Sequence, residues 1–211
     1  MILLNSSKFK NIYIGIDPSL SGFGISIIDK NKNQIILDEF KADNHHNFIL
    51  MCWSISNMYN DIFKKYEDYI NEDTNIAQEL PISSGINSGK LNALGMYFYN
   101  ELGKYSKYAN IYCYHPIKLK VFHHKRKYDK KDTMLVIEDI LNIFKKYNYD
   151  IDIRFSRTKK NLNITNNEAD SCMYAIKIFI DNNQNDTITK EILTKYPRFD
   201  KIVSLNEELG L

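Results

Sequence analysis

Three carboxylates lie at the ends of predicted structural elements that are far apart along the chain. Asp17 ends the apolar stretch 11–17, Glu79 ends the stretch 75–79, and Asp170 lies near the start of an apolar helical pattern. If the fold brings these side chains together, their like charges repel and need a cation between them. Oxygen ligands of this kind suit Mg²⁺ or Mn²⁺, and a pair of such ions is suited to cleaving phosphodiesters.

Each carboxylate also has a structural explanation when it is taken alone. Asp17 precedes Pro18 in a turn sequence, where short acidic side chains are frequent. Glu79 ends its stretch at a position where surface residues are common. Glu168 and Asp170 lie near a predicted helix N-terminus, where the helix dipole favours negative charge. The three positions together, in this order, favour the functional interpretation.

The residues between these carboxylates predict a mixed α/β fold. Predicted strands are Ile-rich runs bounded by turn residues and cover 11–17, 23–29, 34–40, 74–79 and 111–114. Predicted helices have apolar residues at three- and four-residue spacings and cover 46–69, about 88–105, 131–147 and 166–181. This order predicts a five-stranded sheet, three antiparallel strands and then two parallel ones, with helices on both faces. The carboxyl ends of strands 1 and 4 then place Asp17 and Glu79 in one crevice.

The composition agrees with one globular domain. The chain has 211 residues, of which 44% are hydrophobic, and this is enough for a sizeable core. We expect a single domain over 1–211, with its core at about 10–182 and a C-terminal extension at 183–211. No apolar run approaches the ~18 residues of a membrane span, and the N-terminus lacks the features of a signal peptide. A cytoplasmic protein with reduced cysteines is therefore expected.

Positive charge is concentrated in one segment, although the formal net charge is only +2. Residues 118–160 hold 13 Lys or Arg and 6 Asp or Glu, whereas the rest of the chain holds 15 and 20. A basic segment beside an acidic site suits a nuclease, which holds phosphates next to its metal ligands; the alternative is a solvated charged surface. The candidate DNA-binding residues are Lys118, Lys120, Lys125, Arg126, Lys127, Lys130, Arg157 and Lys159.

Three motifs resemble those of a known nuclease family. Residues 15–24, Gly-Ile-Asp-Pro-Ser-Leu-Ser-Gly-Phe-Gly, resemble the opening motif of the RuvC-type Holliday-junction resolvases, a branch of the RNase H-like superfamily. Residues 76–79, Ile-Ala-Gln-Glu, resemble the family's second strand-end glutamate, and residues 168–171, Glu-Ala-Asp-Ser, resemble its C-terminal helix. The resemblance covers about residues 10–182. It implies an RNase H-like fold and a metal-dependent endodeoxyribonuclease that resolves four-way DNA junctions by paired nicking.

The resemblance also implies a set of metal ligands. Asp17, Glu79 and Asp170 would bind two Mg²⁺ or Mn²⁺ ions per active site. The family often has another acid three residues before the last aspartate, whereas this chain has Asn167 there and Glu168 next to it. Either side chain can complete the site, and we favour Glu168.

A lysine and a dimer are further implications of the resemblance. Lys131 matches a lysine that the family keeps at the start of the preceding helix, where it would contact the scissile phosphate or stabilise charge in the transition state. A solvated lysine at a helix start is the alternative. Because a four-way junction is two-fold symmetric and needs two cuts, one active site per chain implies a homodimer on branched DNA. An apolar surface of helix 46–69 or 88–105 would form the dimer contact.

Two other functions are compatible with the same residues. A related RNase H-like nuclease with these carboxylates would act on flaps, replication forks or RNA–DNA hybrids. A protein that kept the fold without catalysis would only bind junctions, although the intact Asp17, Glu79 and Asp170 argue against this. Cleavage of an immobile four-way junction into nicked duplexes separates the three possibilities.

Overall fold

The protein folds into a six-stranded mixed sheet with helices packed on both faces. The computed structural model describes residues 10–19, 22–41, 47–79, 97, 100, 101, 103, 104, 109–114, 130–154, 164–202 and 204. The strands are β1 (Ile12–Pro18), β2 (Gly22–Asp29), β3 (Gln34–Lys41), β4 (Thr74–Glu79), β5 (Ala109–Tyr114) and β6 (Asp150–Ile153). The α-helices are α1 (Phe48–Lys65), α2 (Lys130–Lys146), α3 (Asn166–Asn182) and α4 (Thr187–Lys195).

The strand order in the sheet is β5-β4-β1-β2-β3-β6. Strands β1, β2 and β3 form an antiparallel meander, whereas β4 pairs parallel with β1 and β5 pairs parallel with β4. These pairings confirm the predicted mixed α/β fold class. The predicted count of five strands is one too low, because the edge strand β6 pairs in parallel with β3. Its four residues are too few for a distinctive alternating pattern, so pairing with β3 creates this strand.

The alternation of side chains along the strands separates two cores. On β1, Ile14 and Ile16 point to the face covered by α1, whereas Tyr13 points to the face covered by α2, α3 and α4. Strand residues two positions apart share a face, so Gly15 and Asp17 lie on the α3 face with Tyr13. The first predicted catalytic residue therefore ends a strand beneath α3.

Two predicted helices do not match the structure over their whole predicted length. One ends earlier than predicted, and the other lies mostly outside the described residues. Helix α1 begins after Asn47, whose side chain accepts hydrogen bonds from the backbone N–H groups of Ile49 and Leu50, as a good N-cap does. It ends at Lys65, earlier than predicted, and a 3₁₀ helix, Glu67–Tyr69, follows. The predicted helix at about 88–105 lies mostly outside the described residues, and its described positions 97, 100, 101 and 103 are helical.

The described part of the predicted C-terminal extension packs into the core that α2 and α3 form on their face of the sheet. Helix α4 and the 3₁₀ helix Pro197–Lys201 bury Ile192 and Phe199 there. Lys30, which follows β2, forms an ion pair with Asp186, the N-cap of α4, at 2.9 Å. None of the described helices combines the length and the hydropathy needed to cross a bilayer, and no disulfide bond joins the three cysteines.

Helix α3 lies close to β1 and β2 because glycines face it. A Cβ built on Gly15 would lie 1.9 Å from the carbonyl oxygen of Ser171, and one on Gly24 would lie 2.0 Å from that of Asn167. Ser26, the cross-strand partner of Gly15, has its hydroxyl oxygen 2.7 Å from that of Ser171. There is no room for a side chain at either glycine, so these two glycines of the first motif set the depth at which α3 packs.

We predict that Gly15→Ala lowers the free energy of unfolding by at least about 2 kcal/mol, in the upper part of the range for overpacked cores. The obstructing atoms are backbone atoms of α3, which cannot rotate away as a side chain would. Urea unfolding followed by circular dichroism measures the effect. Gly103→Ala is the matched control, since nothing lies within 4 Å of a Cβ there, and its stability should be unchanged or higher. Wild-type stability in Gly15→Ala would contradict the close packing of α3.

Candidate active site

Strands β1 and β4 end side by side, with Asp17 next to last in β1 and Glu79 last in β4. Their parallel register pairs Ile16 with Gln78, so the next residues, Asp17 and Glu79, lie on neighbouring strands about 4.8 Å apart. Ala77 packs in the core beneath α3, and Glu79, two residues further on, shares its face. Asp17 is 6% exposed, whereas Glu79 is partly exposed. The structure thus brings the first two predicted ligands to one edge of the sheet, under α3.

Helix α3 adds a third carboxylate and a buried hydroxyl to this edge. Asp170 is 8% exposed, and Tyr174, one turn further along the same side of the helix, is fully buried. The Tyr174 hydroxyl donates a hydrogen bond to Oε2 of Glu79 at 3.0 Å. Burial raises the pKa of this tyrosine far above its usual value, and the charges of Glu79, Asp17 and Asp170 raise it further. The negative charges of all three carboxylates therefore disfavour ionisation of this hydroxyl.

The chemistry of these side chains fits the predicted cofactor, because carboxylate oxygens are the donors that Mg²⁺ and Mn²⁺ prefer. Within the described part of the chain, however, no three Asp, Glu, His or Cys side chains stand in the arrangement of metal ligands. Asp17, Glu79 and Asp170 share a neighbourhood around Tyr174 rather than a coordination shell. Ligation of an ion therefore requires these side chains to close in on it.

Glu168, which the sequence analysis favours as the fourth ligand, forms the N-terminal cap of α3. Its Oε2 accepts a hydrogen bond from the backbone N–H of Thr165 at 2.7 Å, and Oγ1 of Thr165 accepts one from the N–H of Glu168 at 3.2 Å. This reciprocal pair is a capping box. Each helical residue adds a rotation of about 100°, so Glu168 and Asp170 point to nearly opposite sides of α3. Asn167, three residues before Asp170, lies on the same side as Asp170.

Glu39 on β3 is an acidic residue at this site that the sequence analysis missed. It lies in one cross-strand row with Asp17, because Gly24 on β2 pairs with both. Glu39 is 7% exposed, its Oε1 accepts a hydrogen bond from Nδ2 of Asn167 at 2.9 Å, and its Oε2 is buried without a hydrogen bond to the described residues. Burial raises the pKa of Glu168, and the charge of Glu39 raises it further.

Tyr174 was also missed, although the sequence contained a signal for it. A tyrosine four residues after Asp170 lies on the same face of a helix, so it could have been assigned to the site once the helix was predicted. Glu39 had no such signal, because its place in the row with Asp17 depends on the register of β1, β2 and β3. That register depends on the geometry of the turns between the strands as well as on the hydrophobic pattern.

The side chains of all the predicted basic residues are outside the described part of the chain. Lys130 and Lys131 begin α2, but their side chains are outside the described part of the chain. The other candidates are also outside it: Lys118, Lys120, Lys125, Arg126, Lys127, Arg157 and Lys159. The roles assigned to these residues in contacting DNA stay predictions.

No protein-family model matches the sequence, and a comparison with curated proteins finds no match. Solved structures similar to this chain include RuvC of T. thermophilus in complex with a Holliday-junction substrate, with 14% identity over 92% of this chain and 99% of that chain and a TM-score of 0.48. Another Thermus thermophilus RuvC structure has the same identity and coverage and a TM-score of 0.44. The Mn-soaked nuclease domain of human cytomegalovirus terminase has 17% identity over 89% of this chain and 90% of that chain, with a TM-score of 0.42. Similarity at this level carries no function by itself.

We predict that Glu168→Gln preserves the stability of the protein, whereas Glu168→Ala lowers the free energy of unfolding by about 1–3 kcal/mol. Glutamine keeps an oxygen that accepts from the Thr165 N–H, while alanine leaves this donor without its acceptor. Thr165→Ala removes the other half of the capping box and should cost about 0.5–2 kcal/mol. Denaturant unfolding measures all three variants. If glutamine costs as much as alanine, the hydrogen bond of the cap is not what Glu168 contributes.

Proposed function

We propose that the protein is a metal-dependent endodeoxyribonuclease that resolves four-way DNA junctions by paired nicking. The observation that carries the proposal is that Asp17 and Glu79 lie side by side near the ends of β1 and β4. Tyr174, one turn after Asp170 on α3, donates a hydrogen bond to Glu79. Ionised carboxylates gathered at low exposure are costly unless they are paired or bind a metal. A site for divalent cations is the chemistry that this set of side chains fits.

Cleavage of a phosphodiester needs an activated water, a stabilised phosphate and a stabilised leaving oxygen. Two Mg²⁺ or Mn²⁺ ions would supply all three when bound. In this chain, Asp17, near the end of the strand between β4 and β2, would be the central ligand. Glu79 from β4 and Asp170 from α3 would each hold one side. All three residues belong to packed elements, so their backbone positions are fixed and rotation of the side chains would bring the carboxylates onto the ions.

The fourth ligand has two candidates with different surroundings. The Nδ2 of Asn167 donates to Glu39, so the carbonyl oxygen Oδ1 is the atom left to serve as a ligand on the side of Asp170. Glu168 keeps one buried oxygen, Oε1, without a hydrogen bond to the described residues. The cap-preserving variant Glu168→Gln tests the predicted role of Glu168. Wild-type cleavage by this variant would leave Asn167 as the candidate.

The basic segment and the symmetry of the substrate support the remaining parts of the proposal. Lys131 would neutralise the scissile phosphate, and the eight candidate DNA-binding residues between Lys118 and Lys159 would contact the DNA backbone. Two copies of the chain, each with one active site, would place one cut on each of two strands. The proposed partners are therefore branched DNA and a second copy of this chain.

We predict that Asp17→Asn lowers the cleavage rate by more than the roughly 100-fold that loss of an outer-shell contact costs a metal site, because a ligand itself is lost. Binding of the junction in a mobility-shift assay should remain. The cleavage assay uses a labelled synthetic four-way junction with Mg²⁺, Mn²⁺ or EDTA. Asp150→Asn, at an exposed position that begins β6, is the control and should cut normally. Normal cutting by Asp17→Asn would refute the assigned site.

We predict that the wild-type protein converts an immobile four-way junction into paired nicked duplexes and leaves single flaps and RNA–DNA hybrids intact. Paired nicking follows from two symmetric active sites in one dimer. The same gel assay, run on a matched panel of substrates, measures this selectivity. Equal cutting of flaps or hybrids would indicate a related nuclease, and binding without cutting in either metal would indicate a non-catalytic junction-binding protein.

A further inference from the structure

The hydroxyl of Tyr174 is a polar group inside a buried helix. Residues Glu168 to Ile180 of α3 are all buried, and a phenylalanine would provide the same apolar ring at position 174. A buried tyrosine hydroxyl needs a hydrogen-bond partner, and here the partner is Oε2 of Glu79, at 3.0 Å. The contact joins the middle of α3 to the last residue of β4.

Glu79 is the carboxylate of the site that most needs an orienting partner. Asp17 and Asp170 are 6% and 8% exposed, and short side chains in such surroundings have few conformations. Glu79 has a longer side chain, ends its strand and is partly exposed, so it has more conformational freedom to lose when a ligand binds. A hydrogen bond to Oε2 restricts that freedom and leaves Oε1 as the ligand atom.

A second tyrosine supports the ring of Tyr174. Tyr114, which ends β5 and is 1% exposed, has its ring centroid 6.3 Å from that of Tyr174, with an interplanar angle of 32°. The Tyr114 hydroxyl donates to Oδ2 of Asp181 at 3.1 Å, and Lys177, which is 2% exposed, donates to the other carboxylate oxygen of Asp181. These contacts hold the ring of Tyr114 beside that of Tyr174.

The hydrogen bond to Glu79 determines the chemical role of this hydroxyl. The phenol O–H is the donor and the carboxylate oxygen Oε2 is the acceptor. A neutral donor restrains a carboxylate without cancelling its charge, and the carboxylate stays available to a cation.

We infer that Tyr174 is a positioning residue of the proposed metal site, which orients Glu79 through one hydrogen bond so that its second oxygen faces the cation. The inference rests on the proposed function and adds a residue that touches neither the ion nor the DNA. Loss of such an outer-shell contact typically weakens metal binding by about 10–100-fold. The groups that react with DNA are unchanged once enough metal is present to fill the site.

The test is Tyr174→Phe, which deletes only the hydroxyl. The Mn²⁺ concentration for half-maximal cleavage of the four-way junction should rise by about 10-fold or more, and saturating Mn²⁺ should restore the wild-type rate. Binding of Mn²⁺ alone to the DNA-free protein, measured by calorimetry or electron paramagnetic resonance, should weaken by the same factor. A thermal unfolding curve for each variant establishes that it is folded.

Tyr59→Phe is the matched control. Tyr59 is fully buried, and its hydroxyl donates to Oε1 of Gln78, the residue before Glu79, at 3.3 Å. Because successive strand residues face opposite sides, this variant removes the same atom next to the same strand but away from the carboxylates. Its Mn²⁺ dependence should equal that of the wild type.

Three results for the two variants would overturn the inference. One is an unchanged Mn²⁺ midpoint in Tyr174→Phe, and another is a midpoint that shifts equally in Tyr59→Phe. The third is a loss of cleavage that saturating Mn²⁺ does not restore while Mn²⁺ binding stays at the wild-type value. If the wild-type protein binds Mn²⁺ but cuts no DNA, the proposed function fails and the binding measurement still decides the role of Tyr174. If the wild-type protein binds no Mn²⁺, both proposals fail.

Discussion

The contact between the backbone of α3 and the two glycines beneath it is the constraint on which this site depends. Gly15 and Gly24 remove the side chains that would hold the helix away from the sheet, and the hydroxyls of Ser26 and Ser171 meet in the gap. Once the depth and rotation of α3 are set, each of its residues has a fixed direction. Asp170 and Tyr174 face the ends of β1 and β4, and Glu168 faces away from them.

Buried carboxylates on the two faces of the sheet are stabilised in different ways. On the α1 face, Asp38 has Nζ of Lys65 and the hydroxyl of Tyr66 within 2.6 Å, so a cation offsets its charge. On the α3 face, the hydrogen bonds to Glu79, Glu39 and Glu168 come from a phenol, an amide side chain and a backbone N–H. Neutral donors hold these carboxylates in place without cancelling their charge. A carboxylate held in this way remains able to bind a cation.

The sequence predictions were right where local interactions determine the structure, and they were incomplete where contacts between distant segments determine it. The fold class and most of the element order were predictable, because Ile-rich runs and helical spacings are local signals. The proximity of Asp17 and Glu79 was predictable because the carboxyl ends of parallel strands meet at one edge of the sheet. Strand β6 was not predictable, since four residues at an edge exist as a strand only through β3. Glu39 was missed for a related reason, because its alignment with Asp17 passes through Gly24 on a third strand. The capping role of Glu168 was readable from Thr165 three residues earlier.

The sequence by itself determined the order of β1 to β5 and of α1 to α3, and the three acidic positions near their ends, because these are properties of short segments. Only the tertiary structure decided which acids share a neighbourhood. The rotation of α3 assigns Asp170 and Tyr174 to one side and Glu168 to the other, and the register of β1 to β3 brings Glu39 against Asn167. These choices depend on packing between segments that are distant in the chain, and no local pattern records how deeply a helix sits or how it is turned against a sheet.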